Sequence, residues 1–573
     1  MINTIINSFD IWTDAQGIKA KGRIKSIDNI NMLGINHLRA LVLDLAVYGK
    51  LVPQLASDES ANELLKKGLK RKSIKDQEPL KEKGQFNHDL PSGWALAYIP
   101  NILKDEKYAI KRGPFGSSLR KDFFVSKGYK VYEQQHAIKD DFSLGNYYID
   151  ENKYKELKAF KIKSNDIIIS CSGTVGKVAI APNWIEPGII NQALLKLSIN
   201  ETILLNNYFK ILFPAFYMKT ETLSELQGTA QKNMVSVDIL KNEPFPLPPL
   251  AEQHRIVAKV DELMNLCDKL EDEQFKKLKT HQALVKTLLA TLTEAADTNE
   301  LQVAWDRIYE HFDTLFCTED SIEQLKQTIL QLAVMGKLVK QDPNDEPANK
   351  LLNKIAKEKD RLVKEGKIRK QTPLAKISED KTPFELPRGW EWTRLGEIGI
   401  GSTGKTPSTN VLEYFDGDVP FIGPGQITSE GNITDTDKTL TVEGLEYSSI
   451  AEADDLLMVC IGGTIGKCAI VKYKIAFNQQ INCIRPLFFN SHFLYDIMNS
   501  IYFQQSILSK ATGSATPIIN RSKWEEIMIP VPSLSEQVRI VQKIDELFTL
   551  CESLRNNIKK SEELKGLLSK TII

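Results

Sequence analysis

Residues 399–406 read GIGSTGKT and fit the pattern G-x-x-x-x-G-K-[ST]. In that pattern a strand enters a glycine loop whose N–H groups wrap phosphates, and a helix opens at the lysine with the Ser/Thr hydroxyl on magnesium. Lys405 and Thr406 would then make the chain a P-loop NTPase. The context argues against this. "PSTN" at 407–410 is turn chemistry, and no short apolar strand ends in a suitable magnesium aspartate. Two further glycine turns, "SGTVGK" at 172–177 and "GGTIGK" at 462–467, each follow an apolar, β-rich run. Two readings of these turns are open. Either they let two backbones approach closely, or they cradle a DNA phosphate with Thr174 and Lys177, or Thr464 and Lys467, at the mouth. No N-P-P-[FYW] methylase tetrapeptide, metal-ligand cluster or paired Cys/His nucleophile is present. The seven cysteines lack C-x-x-C spacing and read as reduced thiols of a cytoplasmic protein.

The elements that must position these turns occur twice. "LPPLAEQHRIVAKVDELMNLCDKL" from Leu247 returns 284 residues later as "VPSLSEQVRIVQKIDELFTLCESL" from Val531. "LRALVLDLAVYGKLVPQ" from Leu38 returns after 287 residues, "GTVGKVAI" from Gly173 after 290, and "LPSGW" from Leu90 after 296. The order is the same in both halves, so the chain is a tandem duplication. Its 573 residues suggest roughly three or four domains. Boundaries read as a helical segment and charged arm at 1–89, a globular region at 90–246, a central repeat with long helix and arm at 247–385, a second globular region at 386–530, and a final helix at 531–573.

The duplication bears on the P-loop. "KRGPFGSSLRKDF" stands where the second half has "GIGSTGKTPSTNVLEYF", which matches Gly113 to Gly401, Gly116 to Gly404 and Ser117 to Lys405. On this matching the turn is kept and the phosphate lysine is not.

After each globular region a proline-stiffened exit leads into a run rich in helix formers and free of Pro and Gly. Ile256, Val260, Leu263, Cys267 and Leu270 are spaced four, three, four and three residues apart, and Ile540, Ile544, Leu547, Cys551 and Leu554 repeat the spacing. This is a coiled-coil seam that needs a facing helix, which the other half of the chain would supply. The expected fold is α+β: two mixed α/β regions separated by two long antiparallel helices about a pseudo-two-fold axis.

Charge is balanced, with 74 Lys+Arg against 74 Asp+Glu, which counts mildly against DNA binding. The basic runs at 64–76 and 357–370 read as solvated helix faces or linkers. No signal peptide or membrane-length apolar run is seen. Within the globular regions, polar loops follow strand-like segments, and their Gln, Asn, Arg and Lys can pair with base edges. The candidates in the first half are Lys111, Arg112, Ser117, Ser118, Arg120, Gln134, Gln135, His136, Gln231, Lys232 and Asn233. In the second half they are Thr403, Lys405, Thr406, Ser408, Gln426, Thr516, Asn520 and Arg521. His136 reads as a contact or a packing residue, since no second histidine is near. The framework is duplicated while these loops have diverged.

The motifs "LPSGW"/"LPRGW", "RGPFGSSL", "STGKTPST", "GTVGK"/"GTIGK", "LPPLAEQHRIV"/"VPSLSEQVRIV" and "LAVYGKLVPQ"/"LAVMGKLVKQ" span nearly the whole chain. In this combination and order the chain resembles the DNA-specificity subunits of type I restriction–modification enzymes. Lys405 stands in a turn where that family often has Gly, which produces the P-loop look-alike. The resemblance implies two target-recognition domains, each reading one half of a split, asymmetric DNA site. The helices would set the number of unread bases between the halves. It further implies two methylase subunits binding S-adenosylmethionine and two ATP-dependent motor-nuclease subunits. The methyl donor, ATP and Mg would belong to those partners and no cofactor to this chain. A coiled-coil scaffold that never touches DNA is the remaining alternative.

Overall fold

The computed structural model describes residues 18–20, 30–69, 90–115, 118–219, 234, 236–369, 377–378, 382–513 and 516–572. Ser117, Gln231, Lys232 and Asn233 lie outside these, as do Gly116 and parts of both basic runs. The chain divides into two units, residues 1–276 with 562–573, and residues 277–561.

In the first unit the helices include α1 (Leu33–Val47), α2 (Ala61–Leu69), α3 (Asn206–Ala215), α4 (Val237–Asn242) and the start of α5 (Leu250–Glu294). The strands that matter here are β1 (Ala95–Ala97), β2 (Ile110–Arg112), β3 (Tyr129–Tyr132), β4 (Ile167–Ser170), β5 (Val178–Ile180), β6 (Gly188–Ile190), β7 (Leu194–Leu197) and β8 (Phe245–Leu247). β5, β4, β7 and β2 form an antiparallel sheet in that order, while β3 and β6 pair in parallel within a second, five-stranded sheet. The run "DIIIS" is apolar at successive positions because β4 is buried on both faces. Ile167 and Ile169 join the core with α1 and α3, while Ile168 faces Tyr132 and Ile190 of the second sheet. β1 and β8 pair antiparallel, Ala95 opposite Leu247, so the globular region closes where it opened.

The second unit repeats this plan. Its helices include α6 (Glu319–Val334), α7 (Ala348–Lys364), α8 (Ser491–Asn499), α9 (Arg521–Glu525) and α10 (Leu534–Ile572). Its strands include β9 (Glu391–Arg394), β10 (Gly399–Thr403), β11 (Phe415–Ile422), β12 (Leu456–Val459), β13 (Cys468–Ile470), β14 (Ile475–Phe477), β15 (Ile481–Pro486) and β16 (Met528–Val531). The sheet order β10-β15-β12-β13 matches β2-β7-β4-β5 strand for strand, and β11 and β14 again pair in parallel. An insertion between α5 and α6 adds a helix at Thr298–Glu310.

The repeated motifs converge on one junction per unit. In the first, Glu252 at the start of α5 accepts from the Trp94 indole at 3.0 Å and the Gln54 amide at 3.1 Å. Arg255 pairs with Asp58 at 2.7 Å. In the second, Glu536 accepts from Trp390 at 3.0 Å and Gln341 at 3.2 Å, and Arg539 pairs with Asp345 at 2.7 Å. Gly49 and Gly336 are required there. Each has φ near +70°, and a Cβ would lie 2.4 Å from the ring of Pro91 or Pro387. Thus "GKLVPQ", "LPSGW" and "AEQ" are parts of one contact, which is why they recur together.

The seams on α5 and α10 form, and the leucine-rich helix of each repeat packs on them, a contact that spacing alone did not specify. Ile256 and Val260 join the core with Val42, Leu45 and Ala46 of α1, and Cys267 and Leu270 cluster with Ile35 and Leu38. Arg39 holds Asp268 and Glu271 alongside. Ile540, Ile544, Leu547, Cys551 and Leu554 join the core with Leu325, Ile329 and Leu332 of α6. Lys326–Glu552 and Arg555–Glu323 ion pairs flank that contact. Within its unit each seam therefore meets the helix of its own repeat, and the α10 seam shares its core with Val285, Leu289 and Leu292 of α5 as well. The leucine-rich box ahead of "GKLV" provides an apolar face of matching period.

Candidate nucleic-acid interface

Strand register gathers the polar candidates at one end of each four-stranded sheet. In the second unit Thr403, Asn482, Met458 and Cys468 lie in one row across β10, β15, β12 and β13. Beyond that row the chain turns at 404–408, 478–480 and 460–467. Thr512 and Ile518, bridged to each other, join them through the Ile461–Ile518 bridge. Lys405, Thr406, Ser408, Thr464, Lys467 and Thr516 are thereby brought to one rim. Gln426 joins it beyond β11, where its Oε1 accepts from the Gly423 N–H at 3.0 Å. In the first unit the corresponding row is Arg112, Leu195, Ile169 and Val178. Its rim holds Lys111, Arg112, Thr174, Lys177, Gln134 and Gln135. Gln134 Oε1 and Arg112 Nε are buried without hydrogen-bond partners among the described residues.

The stretch 399–406 is not a phosphate loop. Gly399–Thr403 is a strand, paired from Gly399↔Pro486 to Thr403↔Asn482. The Gly404 N–H donates to Ile481 O at 3.0 Å and that of Lys405 to Phe477 O at 3.1 Å, so these donors serve the protein itself. No helix opens at Lys405; the next helical turn is a 3-10 segment at Leu412–Tyr414. The Thr406 hydroxyl donates to Gln479 Oε1 at 2.5 Å.

The structure also moves the register between the halves by three residues. The Gly113 N–H donates to Leu194 O at 2.9 Å, as Gly404 does to Ile481 O. A Cβ would lie 1.8 Å from Asn191 O at Gly113 and 1.9 Å from Asn478 O at Gly404. Gly113 therefore corresponds to Gly404, not to Gly401, and Lys405 to Pro114, not to Ser117. Both glycines are set by close backbone approach, a constraint that counting glycines along the sequence does not reveal.

The two "GTxGK" motifs are tight turns of the β4–β5 and β12–β13 hairpins. Gly176 N–H donates to Ser170 O and Gly466 N–H to Val459 O, both at 2.9 Å. Lys177 is exposed at the rim. Lys467 is half-buried and donates to Ile427 O at 3.1 Å, which ties its turn to the segment after β11.

Other candidates have structural duties. His136 is buried; its Nδ1 accepts from the Glu133 N–H at 2.9 Å and its Nε2 lies 2.7 Å from Leu144 O. Both ring nitrogens are used inside the protein, so His136 is the packing residue of the two readings. Asn520 caps α9 by accepting from the Lys523 N–H at 2.9 Å. Arg521 turns toward edge strand β10, 3.4 Å from Gly401 O, beside the Glu525 carboxylate. Burial raises the Glu525 pKa, opposed by Arg521 and Lys359. Arg120 stacks on Phe123 and Ser118 is exposed on the same segment. Cys171 and Cys460, under the rims, are pushed up to about 12 by burial and stay protonated thiols. Among the described residues no cluster of three metal-ligating side chains occurs, and no helix is long and apolar enough to cross a membrane.

Gln192 and Gln479 are rim residues outside the polar loops singled out by sequence. Both are exposed, on the turns that lead into β7 and β15. Their signal was "NQ" recurring 287 residues apart, at 191–192 and 478–479.

Comparison with known proteins bears on the whole chain. A family model described as the type I restriction modification DNA specificity domain matches residues 119–280 and 387–564. The specificity subunit of the type I restriction enzyme EcoAI of Escherichia coli is 34% identical, with 98% of this chain and 96% of that protein covered. That of EcoEI, also from Escherichia coli, is 33% identical at the same coverage. The chain belongs to the type I restriction–modification DNA-specificity family. Among solved structures, the HsdS subunit from Thermoanaerobacter tengcongensis is similar at a TM-score of 0.39 and 17% identity, covering 85% of this chain and 97% of that one. This specificity subunit has a DNA-recognition role and is not itself catalytic.

Proposed function

We propose that residues 90–246 and 386–530 are two target-recognition domains, each reading one half of a split, asymmetric DNA site through the rim at its sheet end. The observation that carries this reading is the pair of rims: identical strand order beneath, unlike side chains on top. At equivalent positions Arg112 stands against Thr403, and Pro114 against Lys405. A shared frame places two readers in the same pose, and different side chains select different bases. The long helices α5 and α10, of 45 and 39 residues, would pack antiparallel and set the unread gap. At 1.5 Å per residue they are about 67 and 58 Å long.

The subunit would work inside a complex with methylase and motor-nuclease subunits, two of each, in the cytoplasm. S-adenosylmethionine, ATP and Mg would be held by those partners. The repeated junctions around Glu252 and Glu536 supply like surfaces for docking like partners. Shared grip on phosphate by the partners accounts for a neutral DNA-recognition chain.

The test exchanges residues 386–530 for the equivalent region of a relative, followed by mapping of methylated positions in the host genome. The expected result is a change confined to one half of the methylated sequence. A change in both halves, or in neither, overturns the reading.

A further inference from the structure

We infer that Gln479 and Gln192 are specificity-determining residues, each reading one base pair in its own half of the DNA site. This rests on the reading of the rims as DNA-facing. The turn at Gln479 is held from several sides. Asn478 N–H donates to Ile422 O at 3.1 Å, and Asn478 Oδ1 accepts from the Gln480 N–H at 3.0 Å. Gly404 lies so close to Asn478 O that no side chain fits between, and Lys405 N–H donates to Phe477 O at 3.1 Å. An exposed glutamine on such a turn has lost its backbone freedom before DNA arrives. Less ordering entropy then opposes binding.

The side chain is oriented as well. Thr406 Oγ1 donates to Gln479 Oε1 at 2.5 Å, which fixes the oxygen end of the amide and leaves Nε2 without a bond among the described residues. A carbonyl oxygen has a second lone pair, so Oε1 can still accept. Donor and acceptor are thus presented together, the pattern that matches adenine N7 and N6 in the major groove. In the first unit the same turn presents Gln192. Asn191 N–H donates to Tyr132 O at 2.8 Å, Asn191 Oδ1 accepts from the Ala193 N–H at 3.0 Å, and Gly113 approaches as Gly404 does. The residue equivalent to Thr406 there is Phe115, which is 61% exposed and carries Arg112 over its ring. Among the described residues no hydroxyl bonds Gln192, so there the two glutamines share a position and differ in preorganisation.

The experiment uses the full chain co-expressed with its methylase partner. Gln479→Ala, Gln192→Ala and Thr406→Val complexes select from a library of duplexes randomised one position at a time around the methylated sequence. Gln479→Ala is expected to relax discrimination roughly tenfold or more at one A·T pair of one half-site and nowhere else. Gln192→Ala should do the same in the other half only. Thr406→Val should weaken discrimination at the Gln479 position alone. Weakening that is uniform across all sequences, or unchanged discrimination, overturns the inference. The exchange of residues 386–530 tells the two failures apart. If the exchange shifts one half-site and Gln479→Ala shifts nothing, the rim reads DNA through other residues. If the exchange also shifts nothing, the recognition reading itself fails.

Discussion

Glu252 and Glu536 show what a single residue does in this fold. Each is a buried carboxylate that ties an indole and an amide to the start of a long helix. Removing one leaves two donors unpaired, so Glu536→Ala should cost about 1–3 kcal/mol in a urea melt. The pH dependence has two signs. Burial raises the Glu536 pKa above the ordinary 4.5, despite bonds to Trp390 and Gln341 that lower it. Its contribution is therefore full below 4.5 and is lost as pH rises through the raised value. The hydrogen bond from Arg539 lowers the Asp345 pKa below the ordinary 3.8. That contribution is present above 3.8 and is lost as pH falls through the depressed value. Glu536→Gln should flatten the loss of stability on the rising side, and Asp345→Asn the loss in acid, in urea midpoints measured against pH. Either variant tracking the parent curve would contradict these assignments.

The elements were partly legible in the sequence. The "GKLVPQ", "LPSGW" and "AEQ" boxes announced themselves because their residues touch one another and all had to be kept together. The heptad-like spacing of Ile540, Ile544 and Cys551 announced a helical seam, but spacing alone does not say which helix covers it. The added packing of α1 and α6 on those seams is therefore visible only in the structure. The GIGSTGKT stretch imitates a phosphate loop because an edge strand with a close glycine can use the same letters, and the turn chemistry of "PSTN" after it already spoke against one. A direct test is available. Gly404→Ala places a Cβ 1.9 Å from a backbone oxygen, whereas Gly401→Ala meets the end of the Glu525 side chain at 2.0 Å. The first should cost about 1–3 kcal/mol, since backbone must move, and the second distinctly less. Equal costs would contradict the strand assignment. The rim itself was least legible. His136 and Asn520 look like base readers by type, yet their polar atoms serve the protein interior and a helix cap. Gln479 looks unremarkable in "NQQIN" until the turn beneath it is seen.

At the scale of the molecule, one frame is written twice and carries different side chains at the same strand ends. On the proposed function such an arrangement would give two independent readings from one chain, with changes at one rim leaving the other alone. The most direct test is a cryo-electron microscopy structure of the chain with its partners on a duplex containing the methylated sequence. The account predicts that both rims face base edges in the major groove, with Gln192 in one half-site and Gln479 in the other. A duplex lying against the opposite ends of the two sheets, or touching only one unit, would contradict it.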